Sequence, residues 1–127
     1  MKLNHDCVRD LLLYIEENSS YTDTIHLNSL TLKEYLTDDI LYTADKLIEA
    51  GFLDCIRLRS LGSSKPDIKV KSITFEGHKF LDNIRDNKVW STTKSVLSKF
   101  TSTSIGIVSD IASQVISNII SKQLNLP

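Results

Sequence analysis

Between Thr37 and Ile84 the residues spell a helix, a strand–turn–strand hairpin and a second helix, with no linker between them. A helix precedes this block and a serine-rich apolar tail follows it. That order predicts an α+β chain: a winged helix-turn-helix domain with a small three-stranded sheet, plus a C-terminal helical extension. The expected division is a winged-helix-like domain over residues 1–86 and an extension for oligomerisation or packing over 87–127. At 127 residues the chain is long enough to bury an ordinary core without disulfide or metal staples.

The first helix is expected from Asn4, whose side chain can accept from the free N–H groups of the first turn, to about Asn18. Val8, Leu11, Leu12 and Ile15 fall on one helical face, and Asp6 sits where the helix dipole favours a negative charge. Thr24–Leu30 reads as a short strand, the third of the sheet, and Thr31–Leu36 is ambiguous. Thr37 is the expected cap of the central helix. Ile40, Leu41, Ala44, Leu47 and Ile48 are its core stripe, and Gly51 supplies the left-handed residue that ends it.

In the wing, Ile56 and Leu58 alternate with Arg57 and Arg59. After the turn residues Leu61–Asp67, Ile68 and Val70 alternate with Lys69 and Lys71. The expectation is therefore an apolar inner face and a basic outer face made of Arg57, Arg59, Lys69 and Lys71, with Lys65 in the turn. Thr74 should cap the next helix, where Gly77, Phe80, Leu81 and Ile84 share a face. A glycine in a helix costs about 1 kcal/mol relative to alanine, and a close helix–sheet approach is the expected compensation. Asp86-Asn87 predicts a break or kink, although one continuous helix is also compatible; Val89, Trp90, Thr93, Val96, Leu97 and Phe100 then resume helical spacing as core.

The tail is different in kind. Residues 101–121 carry one charge, Asp110, while Ile105, Val108, Ile111, Ala112, Val115, Ile116, Ile119 and Ile120 form a wide apolar stripe. Such a stripe is seldom left in water. Self-association through it is the leading expectation, ahead of packing on the chain's own core. Membrane insertion is the least favoured, because the stretch is shorter than a span and lacks a basic polar face.

The charges limit the functional classes. Net charge is −1 overall, yet residues 1–54 carry −7 and residues 55–127 carry +6, a split compatible with head-to-tail association. DNA contact is disfavoured through the central helix, which holds Asp38, Asp39, Asp45 and Glu49 against Lys46 alone. It is better placed on the wing, through Arg57, Arg59, Lys65, Lys69 and Lys71; the same residues equally suit an acidic partner. His5, His26 and His78 are dispersed and the four glycines isolated, so no catalytic, metal or phosphate-binding pattern stands out. His5 with Asp6, or His78 with Glu76, could be drawn as acid–base pairs, but capping or surface roles explain them better. Cys7 and Cys55 have no partner at ligand or redox spacing and read as reduced thiols of a cytosolic protein. The N-terminal residues do not read as a signal peptide, since Asp6, Arg9 and Asp10 interrupt any apolar run.

The stretches MKLNHDCVRDLLLYIEEN, ILYTADKLIEAGFL and ITFEGHKFLDNIRDNKVWSTTK resemble a family of small bacterial and prophage-encoded proteins of unknown function. The resemblance covers roughly residues 1–120. It implies a winged-helix-like fold, a phage or mobile-element context and no assigned biochemistry, and it offers no catalytic residues to carry over. The combined expectation is a non-enzymatic, cytoplasmic binding protein without cofactor: a homo-oligomer assembling through the tail helix, with a protein partner as a further role. A dimeric DNA-binding regulator using the wing is the runner-up.

Overall fold

The computed structural model describes residues 1–59 and 61–125. Ser60, expected at the end of the first wing strand, and residues 126–127 of the extension lie outside them. The described residues form an α+β chain with five α-helices and one three-stranded antiparallel sheet. In chain order these are α1 (His5–Asn18), β1 (Ile25–His26), a 3-10 turn (Leu27–Ser29), α2 (Thr37–Glu49), β2 (Leu53–Leu58), β3 (Asp67–Ile73), α3 (Phe75–Ile84), α4 (Asn87–Leu97) and α5 (Ile105–Gln123). The strand order is β1-β3-β2, so β3 is central and β2 is an edge. Two compact units are distinguished, Met1–His78 and Lys79–Pro127, and α3 begins in one and ends in the other.

In the first unit, α1 is capped as its sequence dictates, with Asn4 Oδ1 accepting from the Asp6 and Cys7 amides at 2.9 and 3.2 Å. Val8, Leu11, Leu12 and Ile15 are all buried, and Cys7 joins them. α2 buries Ile40, Leu41, Ala44 and Leu47, together with Thr43, whose hydroxyl donates to the Asp39 carbonyl at 2.7 Å and lies 3.4 Å from Cys7 Sγ. Thr37 is not its cap. The helix starts at Thr37 itself, Leu36 holds the cap position, and no side chain accepts there. Asp38 and Asp39 in the first turn supply the negative charge that the free N–H groups favour. Gly51 ends the helix at φ +79°, and the Phe52 amide turns back to the Leu47 carbonyl at 2.8 Å.

The expected strand at Thr24–Leu30 shrinks to Ile25–His26, because Leu27 leaves the ladder to fill the core from a 3-10 turn. Asn28 takes over the pairing with its side chain. Its Nδ2 donates to the Pro66 carbonyl at 2.8 Å and its Oδ1 accepts from the Ile68 amide at 3.0 Å, straddling Asp67 at the base of the wing. The His26 side chain bonds to Asp67 itself.

The inner and outer faces of the hairpin are not those expected. Directly opposed residues in an antiparallel ladder share a face. Leu53, Cys55 and Arg57 oppose the buried Ile73, Val70 and Ile68, whereas Asp54, Ile56 and Leu58 oppose Ser72, Lys69 and Asp67. Ile56 and Leu58 therefore stand on the outer face, 40% and 56% exposed, and Arg57 stands on the inner one. The phase is set by Leu53, which enters the core at the start of the strand and carries every second residue after it inward. A bulge between Asp54 and Cys55 leaves Lys71 without an opposite number, so Val70 and Ile73 are both buried despite an odd separation.

The start of α3 is fixed by one carbonyl. Phe52 O accepts from the Thr74 amide at 3.0 Å, and Thr74 Oγ1 donates to the Gly51 carbonyl at 2.5 Å while accepting from the Gly77 amide at 3.1 Å. The helix backbone passes so near that a Cβ at Gly77 would collide with Phe52 O and lie 2.7 Å from Ile73 Cγ2. The close approach expected from a helical glycine is thus present, against the end of α2 as well as the sheet.

In the second unit Phe80, Leu81 and Ile84 of α3 are buried, and the helix breaks as anticipated. Asp86 caps α4 by accepting from the Val89 amide at 2.9 Å. Val89, Trp90 and Thr93 are buried; Val96 and Leu97 are only half-buried. Phe100 does not join the core: α4 ends at Leu97 and Phe100 is 59% exposed. α5 packs against α4, begins at a serine cap (Ser104 Oγ accepting from Ile107 N at 3.2 Å), and hydrogen-bonds through Ser109 to Asn83 at 3.0 Å.

Two outcomes test this packing. Gly77→Ala should cost about 3 kcal/mol in urea unfolding, as overpacking against rigid backbone does; an unchanged midpoint would remove the close approach as a constraint. Thr93 Oγ1 is buried without a hydrogen-bond partner among the described residues. Thr93→Val deletes that unpaired hydroxyl at similar volume and should raise stability by about 1 kcal/mol; a loss of stability would mean that the hydroxyl has a partner.

Candidate interaction surfaces

The five wing and turn cations do not form one basic face. Arg57, on the inner face, reaches α2 and binds Asp45 through two nitrogens, Nε to Oδ1 at 2.7 Å and Nη2 to Oδ2 at 3.3 Å. That contact holds the guanidinium charged, its pKa pushed above the ordinary arginine value first by the hydrogen bond and then by the Asp45 charge. Lys65 meets Asp38 at 2.6 Å and Lys71 lies 3.9 Å from Asp54. Lys69 is half-buried on the outer face beside Ile56, and Arg59 is exposed. Three of the five cations thus face a carboxylate of the same unit. The positive field that their residue types suggest is largely cancelled locally. Two of the four acids of α2, Asp38 and Asp45, are the ones that pair with the wing.

The tail residues separate into three groups. Val108 and Ala112 are buried within the chain, so they are not available to a partner. Ile105, Ile111, Val115, Ile116 and Ile119 are half-buried, and Ile120 is 51% exposed. Two clefts lie side by side on the C-terminal half of α5 where it meets the start of α4. One, of about 360 Å³, is lined by Thr92, Val115, Ile119 and the stems of Lys88 and Lys122. The other, of about 350 Å³, is lined by Val89, Ile116, Ile119 and Ile120 with Asp86 and Lys88. Ile119 lies on both. Lysine stems covering apolar surface while their ammonium groups stay in water make such clefts amphipathic.

His78 Nδ1 stands 4.0 Å from Glu16, not Glu76, and His26 meets Asp67. Burial pushes the Cys55 thiol up to about 12, helped by the charges of Asp54 and Asp45, and burial also raises Cys7. Neither is a thiolate at neutral pH. Among the described residues no group of His, Cys, Asp and Glu side chains could hold a metal ion. No helix among them is long and apolar enough to cross a membrane.

Several contacts escaped sequence reasoning. Asp10 accepts from the Tyr35 hydroxyl at 2.7 Å and pairs with Lys33 at 3.0 Å, anchoring the ambiguous 31–36 segment to α1. Burial first, and then the Asp10 contact, push the Tyr35 phenol upward. No periodicity announces a contact across such a separation. The Arg57–Asp45 pair had a faint signal: a lone base in a strand whose first residue is apolar, facing a helix rich in acids.

A relative from Haemophilus influenzae (strain ATCC 51907 / DSM 11121 / KW20 / Rd), described as an uncharacterized protein, is 29% identical over 124 residues, spanning 98% of this chain and 99% of its own. No solved structure matches the chain significantly. A family model described as "Hypothetical protein (DUF2513)" matches residues 2–104, and the chain belongs to that family of unknown function.

Proposed function

We propose that this protein is a non-enzymatic winged-helix module that self-associates through the C-terminal half of α5 and acts as a protein-interaction or regulatory component in the cytoplasm, in a phage or mobile-element setting. The winged-helix reading is supported by the order α2, β2, wing turn, β3, α3 and by β1 completing a three-stranded sheet. One observation carries the association: Val115, Ile116, Ile119 and Ile120 remain half-buried or exposed beside two amphipathic clefts after α5 has packed on α4. A copy of the same helix, nearly uncharged and bearing isoleucine at the same positions, matches them in chemistry. The face is narrower than the whole apolar stripe, since Val108 and Ala112 already serve the chain's own interior. The mobile-element setting rests on the family resemblance alone.

The alternative, a DNA-binding regulator, finds little support in the charges. Arg57, Lys65 and Lys71 are drawn to Asp45, Asp38 and Asp54, and releasing them for phosphates would give up those pairs. Phosphate neutralisation supplies most of the affinity of such proteins. With three of the five cations so engaged, an acidic recognition helix is poorly placed to approach a duplex.

The test is light scattering on Ile119→Ser/Ile120→Glu in the full chain. Each isoleucine removed from an interface forfeits about 1.5 kcal/mol or more, which for two is over a hundredfold in the association constant. The mass should therefore fall below that of wild type, with far-UV circular dichroism unchanged. An unchanged mass with an intact helical spectrum would contradict the proposal.

A further inference from the structure

β2 is an edge strand of six residues whose second edge meets no strand among the described residues. Of the usual protections it carries one, the inward charge of Arg57, which Asp45 of its own chain pairs. It has no proline and no lysine, and the bulge that could twist an edge away puts its extra residue in β3. Its outer face instead presents Ile56 and Leu58 side by side, 40% and 56% exposed. Two apolar side chains flanking an open backbone edge are the features on which strand addition relies.

We propose that β2 pairs antiparallel with β2 of a second copy about a twofold axis at Ile56, continuing the sheet from one protomer into the other. The occupant follows from the residues themselves. An isologous contact must be self-complementary, and in an antiparallel pair the opposed residues share a face. Only pairings of like-faced positions are therefore allowed, and those near the middle of the strand centre on Cys55, Ile56 or Arg57. Centred on Arg57, the pairing sets two guanidiniums against each other. Centred on Cys55, it sets Ile56 against the partner's Asp54 and leaves the apolar pair without a like partner.

Centred on Ile56, the pairing sets Ile56 against the partner's Ile56, with Leu58 diagonal to it on each side. The four side chains then close into one apolar cluster on the outer face. The same register places the partner's Arg59 opposite Leu53. Leu53 adjoins the C-terminal end of α2, because the Phe52 amide is tied to the Leu47 carbonyl at 2.8 Å. There the helix dipole is negative, and Glu49, which accepts from Lys46 of its own helix at 2.9 Å, stands exposed with its carboxylate able to take a second cation. Arg59 pairs with no acid of its own chain among the described residues, so this contact supplies the complement that its own wing does not. Twofold symmetry makes the charge match twice.

This surface is separate from the α5 clefts, and the experiment reads it alone. Opposed Cα atoms in antiparallel strands are about 4.5–5.5 Å apart, within the span that a disulfide bridges. In a Cys55→Ser background of the full chain, Ile56→Cys should oxidise to a covalent dimer at least tenfold faster than Leu58→Cys, whose opposite number is Asp54. The link should also form when Ile119→Ser/Ile120→Glu is present. Absence of a dimer band for Ile56→Cys, or equal linking at 58, overturns the proposal; circular dichroism of each variant confirms that the fold is kept.

Discussion

One carbonyl oxygen holds the first unit's geometry. Phe52 O lies just past the end of α2, where Gly51 has turned the chain, and it receives the Thr74 amide at the start of α3. The Gly77 backbone packs against the same atom, with no room for a side chain. The end of one helix, the start of β2 and the start of the next helix are therefore specified together. The direction of β2 follows from this, since Leu53 must then point inward. Every later feature of the hairpin depends on that choice: the inward Arg57, the outward Ile56 and Leu58, and the bulge that restores burial at Ile73.

Electrostatics complete the arrangement. The opposite net charges of the first 54 residues and the remainder are consumed partly inside the first unit, where Asp38, Asp45 and Asp54 meet Lys65, Arg57 and Lys71. These contacts are solvent-exposed and individually weak, each typically below about 1 kcal/mol. Their effect is to orient the wing and neutralise it, not to stabilise the fold. A chain outline that suggests DNA recognition thus becomes one that leaves two apolar features open, a cleft-lined helix and a strand edge.

Much of the fold was legible in residue order. Helical spacing placed α1, α2 and α3, Asp86-Asn87 marked the break before α4, and Gly51 and Gly77 marked a turn and a close approach. Local chemistry sufficed in each case because the partner atoms lie within a few residues or on one face. The hairpin phase was misjudged because Ile-Arg-Leu-Arg alternates equally well either way round. Only Leu53's place in the core, a long-range fact, decides between the two. The cap at Thr37 and the core role of Phe100 failed for a related reason: a helix can start or stop one to three residues away from the residue whose type announces it. The apolar stripe of α5 was readable as a whole, but its division between Val108 and Ala112 inside and Ile120 outside was not, since α4 covers only part of it.

Association of the intact chain is the common requirement of both proposed surfaces. Sedimentation equilibrium of the unmodified protein over a dilution series measures it most directly. The account predicts a mass above the 14.3 kDa of one chain that rises with concentration towards an even multiple. A single species of 14.3 kDa at every concentration would contradict it.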